Sequence, residues 1–217
     1  MNFTHRYPML LKAREITQAS NLEHLSSRKF LGFPLAEDMR RWLREQPTHQ
    51  PLYLDFTGIR TLSGSVAEEV GPLVMEAVFQ SSMLEHRYPI FYLDNADNAD
   101  TLGLSFENRN LNALGLVTTP IERTNVIIPI AERGTDRIVV LGPLSKQNEQ
   151  IMILAEQQAQ QNKHLTSEQL EELEFLAKVS PAARSKRLTE LYSRRLLAFS
   201  ENPRNYKERI FVPPWRL

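Results

Sequence analysis

Residues 180–212 constrain the fold more than any other stretch of this chain. They read SPAARSKRLTELYSRRLLAFSENPRNYKERIFV. Ser180 followed by Pro181 is a helix start. A serine hydroxyl accepts from the free amides of the first turn, and proline fits the first helical position because its missing N–H would go unpaired there. Ala183, Leu188, Leu191, Tyr192 and Leu196 then recur close to the helical period. Arg184, Lys186, Arg187, Arg194 and Arg195 fall between them and predict a basic outer face. The apolar runs 197–199 and 209–212 predict two short strands. The connection between them holds the turn signal Asn202-Pro203 and carries Arg204 and Lys207.

The preceding sequence supplies a core for this unit. Residues 144–162 read as one helix, with Ile151, Leu154, Ala155 and Gln158 on an inner face. Residues 166–178 read as a second, with Thr166 or Ser167 as cap and Glu168 and Glu171 in its first turn. Leu170, Leu173, Leu176 and Ala177 give it an apolar stripe. Three helices and a hairpin in about 70 residues suffice for a small core. The arrangement, and VSPAARSKRLTELYSRRLLA above all, resembles the winged helix-turn-helix domains of bacterial transcription regulators. The resemblance implies a recognition helix in the major groove of double-stranded DNA and a wing along its backbone. It assigns DNA contacts to Ser180, Arg184, Lys186 and Arg187 from the helix, and to Arg204, Lys207 and Arg209 from the wing. Two turn glycines common in that family are replaced here by Lys178 and Arg195. Both usually take positive φ, so these turns are expected to close another way.

Net charge is zero over the 217 residues, which hides an asymmetry. From Lys178 onward there are ten lysines and arginines against three glutamates, a net of +7, leaving −7 for the rest. A basic terminus on a neutral chain points to a local anionic partner. The hydrophobic content of 41% and charged content of 24% are those of a soluble globular protein. No apolar run is long enough to span a bilayer, and Met1 opens no signal-peptide pattern, so a cytoplasmic location without membrane contact is expected. The absence of cysteine excludes disulfides, thiolate metal sites and cysteine nucleophiles.

The other half reads as α/β. Residues 1–28 are weakly patterned, and Met9-Leu10-Leu11 fits an early strand or an early helix. Residues 35–45 follow Pro34 and place Leu35, Met39, Trp42 and Leu43 on one helical face, with Arg40, Arg41 and Arg44 towards solvent. Residues 51–59 form an apolar strand with Asp55 near its end. Residues 60–65 lead into a helix expected over 66–83, with Ser65 and Glu68 at capping-box spacing. Residues 88–94 are a second strand, and 126–130 with 137–141 predict a hairpin around Arg133-Gly134-Thr135-Asp136. Gly142-Pro143 marks a domain boundary.

The run LYLDFTGIRTLSGSVAEEV, with residues 32–42 upstream, resembles the strand, loop and helix start of STAS-like domains, over about 60 residues. More specifically, it is similar to bacterial STAS-like domains of unknown function. In anti-sigma-factor antagonists, the ordinary members, this loop carries a phosphorylated serine in an Asp-Ser-Ser-Gly motif. The matching positions are Ser63, Gly64, Ser65 and Val66, without the acidic residue and with the glycine displaced. Ser63 and Ser65 are therefore possible phosphoacceptors by resemblance, with Ser65 as a simple helix cap the simpler reading. The resemblance also implies a histidine-kinase-like ATPase as partner.

The remaining candidates point to structure. Asp55 at a strand end can meet a ligand or bond to its own loop. The tract 94–100, DNADNAD, lacks the calcium-loop glycine and predicts a polar loop capping a helix. None of the five histidines pairs at i+3 or i+4, so no zinc motif is present. No nucleophile elbow or P-loop occurs, and neither an enzyme nor a cofactor is expected. Trp215 is expected to pack on the wing or on the first helix of its domain, or to form a dimer contact. Together these readings give an α/β STAS-like domain over 1–143 that binds a partner, senses a signal or forms a homodimer. A winged helix-turn-helix domain follows over 144–217. The expected function is DNA-binding transcription regulation. The alternative is a partner switch, with the winged helix as a docking module.

Overall fold

The computed structural model describes residues 5–118, 126–128, 137–201 and 209–217. The fold is mixed α/β and divides into two compact units, Met1–Pro143 and Leu144–Leu217.

The first unit is built on a six-stranded sheet. Strands β1 (Arg6–Pro8), β3 (Gln50–Asp55), β5 (Arg87–Leu93) and β6 (Ala113–Val117) lie side by side and parallel. Strand β8 (Arg137–Leu141) runs antiparallel to β6, and β7 (Val126–Ile128) closes the edge antiparallel to β8. A two-stranded pairing of β2 (His24–Leu25) with β4 (Thr61–Leu62) stands apart. The helices are α1 (Met9–Thr17), α2 (Phe33–Glu45), α3 (Gly64–Val70), α4 (Pro72–Gln80) and α5 (Ala96–Asn108). The parallel strands are laid down in one direction across the sheet, so right-handed crossovers carry the connecting helices to one face. On that face Leu52, Leu54, Phe91, Leu93, Val139 and Leu141 join Leu35 and Met39 of α2, Val66 of α3, Val74 of α4 and Phe106 of α5 in one core.

Several local choices explain this path. The ambiguous run at Met9 is helical, immediately after a three-residue strand. The helix expected over 66–83 is two helices, because Gly71 precedes Pro72 and a residue before proline is pushed out of the α region. A Cβ at Gly71 would lie 2.7 Å from the Ala67 carbonyl oxygen. Gly142 has φ +85°, and a Cβ there would meet the Leu111 carbonyl oxygen at 2.1 Å, so only glycine fits the turn that leaves the sheet. The expected hairpin strands pair antiparallel. Their connection, with Arg133, Gly134, Thr135 and Asp136, lies outside the described residues.

The second unit begins with α6 (Lys146–Gln160), whose Ser145 cap accepts from the Asn148 amide. Leu165 then bridges antiparallel to Phe211. Residues 166–178, expected as an α-helix, form two 3-10 turns instead, Gln169–Glu172 and Glu174–Leu176, separated by an extended Leu173. Helix α7 (Pro181–Ser193) follows, then strands β9 (Ala198–Glu201) and β10 (Arg209–Val212), paired antiparallel. The intervening 202–208, with Asn202-Pro203, Arg204 and Lys207, lies outside the described residues. Ile151, Leu154, Leu170, Leu176, Leu188 and Leu191 are buried in this unit. Tyr192, Phe199 and Phe211 meet edge to face at 6.1–6.5 Å between ring centres.

Candidate functional site

Helix α7 starts where its sequence says it should. The Ser180 hydroxyl accepts from the Ala183 amide at 3.4 Å, and Pro181 occupies the first turn. On the helix Lys186 is exposed and Arg187 half-buried, and Ser180 and Arg209 are exposed. Further along, Arg194 pairs with Glu190 at 3.3 Å.

Arg184 departs from the expected base-contacting role. Its side chain is only 3% exposed, and its Nη2 sits 2.6 Å from Glu171 Oε1. The cause is its place on the helix. Arg184, Leu188 and Leu191 follow i, i+4, i+7 spacing and form the inward stripe. Arg184 therefore ties α7 to the first 3-10 turn, and it is not presented to a ligand. Position 195 corrects a second expectation. Arg195 has φ 58°, so an arginine holds the left-handed conformation usually left to glycine. Its amide donates to the Tyr192 carbonyl at 2.8 Å, and its guanidinium lies 5.6 Å from the centre of the Tyr192 ring. Lys178 takes no positive φ.

The C-terminal segment is pinned to α6. Trp215 Nε1 donates to Glu156 Oε2 at 2.9 Å, Arg216 Nε donates to the same oxygen at 3.2 Å, and Arg216 Nη2 pairs with Glu156 Oε1. Glu156 is 2% exposed at its side chain and Trp215 is buried. Of the placements read for Trp215, this is the one on the first helix of its unit.

In the first unit the loop after β3 is held from several directions. Asp55 Oδ1 accepts from the Thr57 amide at 3.0 Å and hydroxyl at 2.6 Å, and Oδ2 pairs with Arg6. The carboxylate thus closes its own loop. Asp94 accepts from the Gly58 amide at 3.1 Å. Buried Asn98 accepts from the Leu62 amide at 3.0 Å and donates to the Ile59 carbonyl at 2.6 Å. In the DNADNAD tract, Asn95 caps α5 through the amides of Asp97 and Asn98. The cap of α3 is Ser63, whose hydroxyl accepts from the Val66 amide. Ser65, the expected cap, lies inside the first turn, exposed, with its hydroxyl 3.3 Å from that of Ser63.

Two clusters have no signature in sequence spacing. Tyr7 of β1 donates to Asp38 of α2 at 2.7 Å, and Arg41 pairs with the other oxygen of Asp38. Burial, then the adjacent Asp38 carboxylate, push the Tyr7 phenol far above its usual range. Burial works to raise the Asp38 carboxyl, but hydrogen bonds from Tyr7 and Arg41 outweigh it and hold it below the ordinary range. In the second cluster, Arg28 binds buried Glu69 at 2.6 Å, and Arg109 binds Glu68 at 2.6 Å and Glu76 at 3.3 Å. The hydrogen bond from Arg109 lowers Glu68 and is the main cause of its shift. Partners 41 residues apart in sequence leave no local pattern to find.

Among the described residues no group of three histidines or carboxylates could hold a metal ion, and no helix is long and apolar enough to cross a membrane. Comparisons of the chain with protein-family models, curated proteins and solved structures found no match.

Proposed function

We propose that the second unit is a winged helix-turn-helix that binds double-stranded DNA in transcription regulation. What carries this reading is the element order. A helix, a bridging residue at Leu165, a turn region, a capped helix and an antiparallel pair follow one another, with Leu165 and Phe211 adding a third extended segment. That order matches such a domain with α7 as recognition helix, except that two 3-10 turns stand where its second α-helix is expected. The outward cations then divide in role. Arg187 has the forked geometry to meet two guanine acceptors, and Lys186 and Arg209 act as charges on phosphates. Arg184 is left out of the DNA-reading group.

The experiment is a titration of the full chain against selected and scrambled duplexes at two salt concentrations. Binding that weakens with salt, and is tighter on the selected duplex, supports the reading. No binding to either duplex at low salt overturns it and leaves the docking-module reading.

For the first unit we propose a STAS-like role in partner binding or sensing. Its support is the strand–loop–helix passage with Ser63 at the helix cap, and Phe30 and Phe33, 74% and 47% exposed, in segments that pack against α3. A histidine-kinase-like ATPase is the partner this reading offers.

A further inference from the structure

A groove in the second unit runs between α6 and the segment 172–175. It holds about 710 Å³ and is lined by Gln150, Ile153, Leu154 and Gln157 on one wall, and by Glu172, Leu173, Glu174 and Phe175 on the other. We propose that this groove docks a basic amphipathic helix of a partner protein.

Three features identify the occupant. The α6 wall shows the spacing i, i+3, i+4, i+7, the stripe by which one helix receives another. Its centre is apolar, Ile153 and Leu154, with an amide side chain at each end. The opposite wall continues the apolar floor with half-buried Leu173 and Phe175. The rim is acidic. Glu172 and Glu174 are exposed, neither pairs with a cation among the described residues, and no basic residue lines the groove. An unbalanced acidic rim around an apolar floor complements a helix with leucine-like residues on one face and lysines or arginines beside them. The same rim opposes self-association. A two-fold contact through this groove would bring four glutamates together, since each patch meets its own copy. The groove uses none of the outward cations of α7.

The test uses the full chain and two labelled 15-residue helical peptides, read by fluorescence anisotropy. Both carry leucines at i, i+3, i+4 and i+7. One fills the other positions with lysine and its match uses glutamate. The lysine peptide is expected to bind at least tenfold more tightly than the glutamate peptide. Glu172→Lys with Glu174→Lys, both at exposed positions, is expected to weaken it about tenfold in a protein whose unfolding midpoint matches the parent's. Phe175→Ala is expected to weaken it about thirtyfold, as for a central apolar anchor. Failure of the lysine peptide to bind, or binding that the double reversal leaves unchanged, overturns the proposal. Sedimentation of the chain alone supplies the second arm. A dimer that Ile153→Glu dissociates overturns the proposal by giving the groove to a second copy.

Discussion

Glu156 joins the Trp215 indole and the Arg216 guanidinium to α6, and its removal tests how the C-terminal segment is held. The carboxylate is almost wholly buried and accepts from the Trp215 indole and the Arg216 guanidinium at once. Glu156→Ala leaves the buried indole N–H without an acceptor, a loss of about 1–3 kcal/mol. Removing one partner of a buried ion pair costs about 3–5 kcal/mol. Arg216 keeps 19% of its side chain exposed and can rehydrate, so the lower end applies. The expected cost of Glu156→Ala is about 3 kcal/mol. For Glu156→Gln it is about 2 kcal/mol, because an amide oxygen still accepts from the indole while the charge pair is broken. The assay is urea unfolding followed by tryptophan fluorescence in a Trp42→Phe background, where Trp215 is the remaining tryptophan of the chain's two. Trp215→Phe completes a cycle, read by far-UV circular dichroism because no tryptophan then remains, and a coupling of about 1 kcal/mol with Glu156→Ala is expected. Both Glu156 variants within about 0.5 kcal/mol of the parent would refute the reasoning.

Other consequences follow from the same geometry. Ser63→Ala should cost about 1 kcal/mol and Ser65→Ala close to nothing, read by thermal unfolding, because Ser63 caps α3. At φ 58°, Arg195→Val should cost about 2 kcal/mol more than Arg195→Asn, since asparagine tolerates the left-handed region and a β-branched residue does not. Stability should depend on pH at both ends of the range. Asp38 and Glu68 are held below their unfolded values, so the unfolded chain binds more protons near pH 4 and their contribution disappears as pH falls. Tyr7 is raised, so its contribution is intact below about pH 10 and disappears as pH rises above it. Urea midpoints across pH, with Asp38→Asn flattening the acid limb and Tyr7→Phe the alkaline one, check both signs.

The strongly periodic segments are legible in sequence: α2, the strands at 50–55 and 87–93, α6, α7 and the Ser180 cap. The misses have physical causes. The tract 94–100 reads as a polar loop capping a helix, but α5 begins inside it at Ala96, with Asp97 and Asp100 on its polar side and Ala99, Leu102, Gly103 and Phe106 on an i, i+3, i+4, i+7 inner face. The region 166–178 keeps its apolar residues but not its α-helix. Glu171, Glu172 and Glu174 crowd like charges there, and an extended Leu173 splits it. Arg184 reads as an outer cation because arginines usually are. Its spacing to Leu188 and Leu191 nonetheless places it on the inner stripe. Ser63 and Ser65 both precede an apolar run, and local pattern does not decide which begins the helix. The Glu156–Trp215 pair spans 59 residues and appears only in three dimensions.

The most direct measurement of the central claim compares the outward pair Lys186 and Arg187 with the inward Arg184 on α7. Salt-dependent anisotropy on a selected duplex is run with Lys186→Ala/Arg187→Ala and with Arg184→Met. The outward pair should weaken binding by at least tenfold and lower the salt slope by about one unit for each phosphate no longer neutralised, with the unfolding midpoint unchanged. Arg184→Met should shift the unfolding midpoint and leave the affinity of the folded protein within about threefold, as a residue turned inward requires. Wild-type affinity in the double variant, or failure of a stably folded Arg184→Met protein to bind, would contradict α7 as the DNA-reading face.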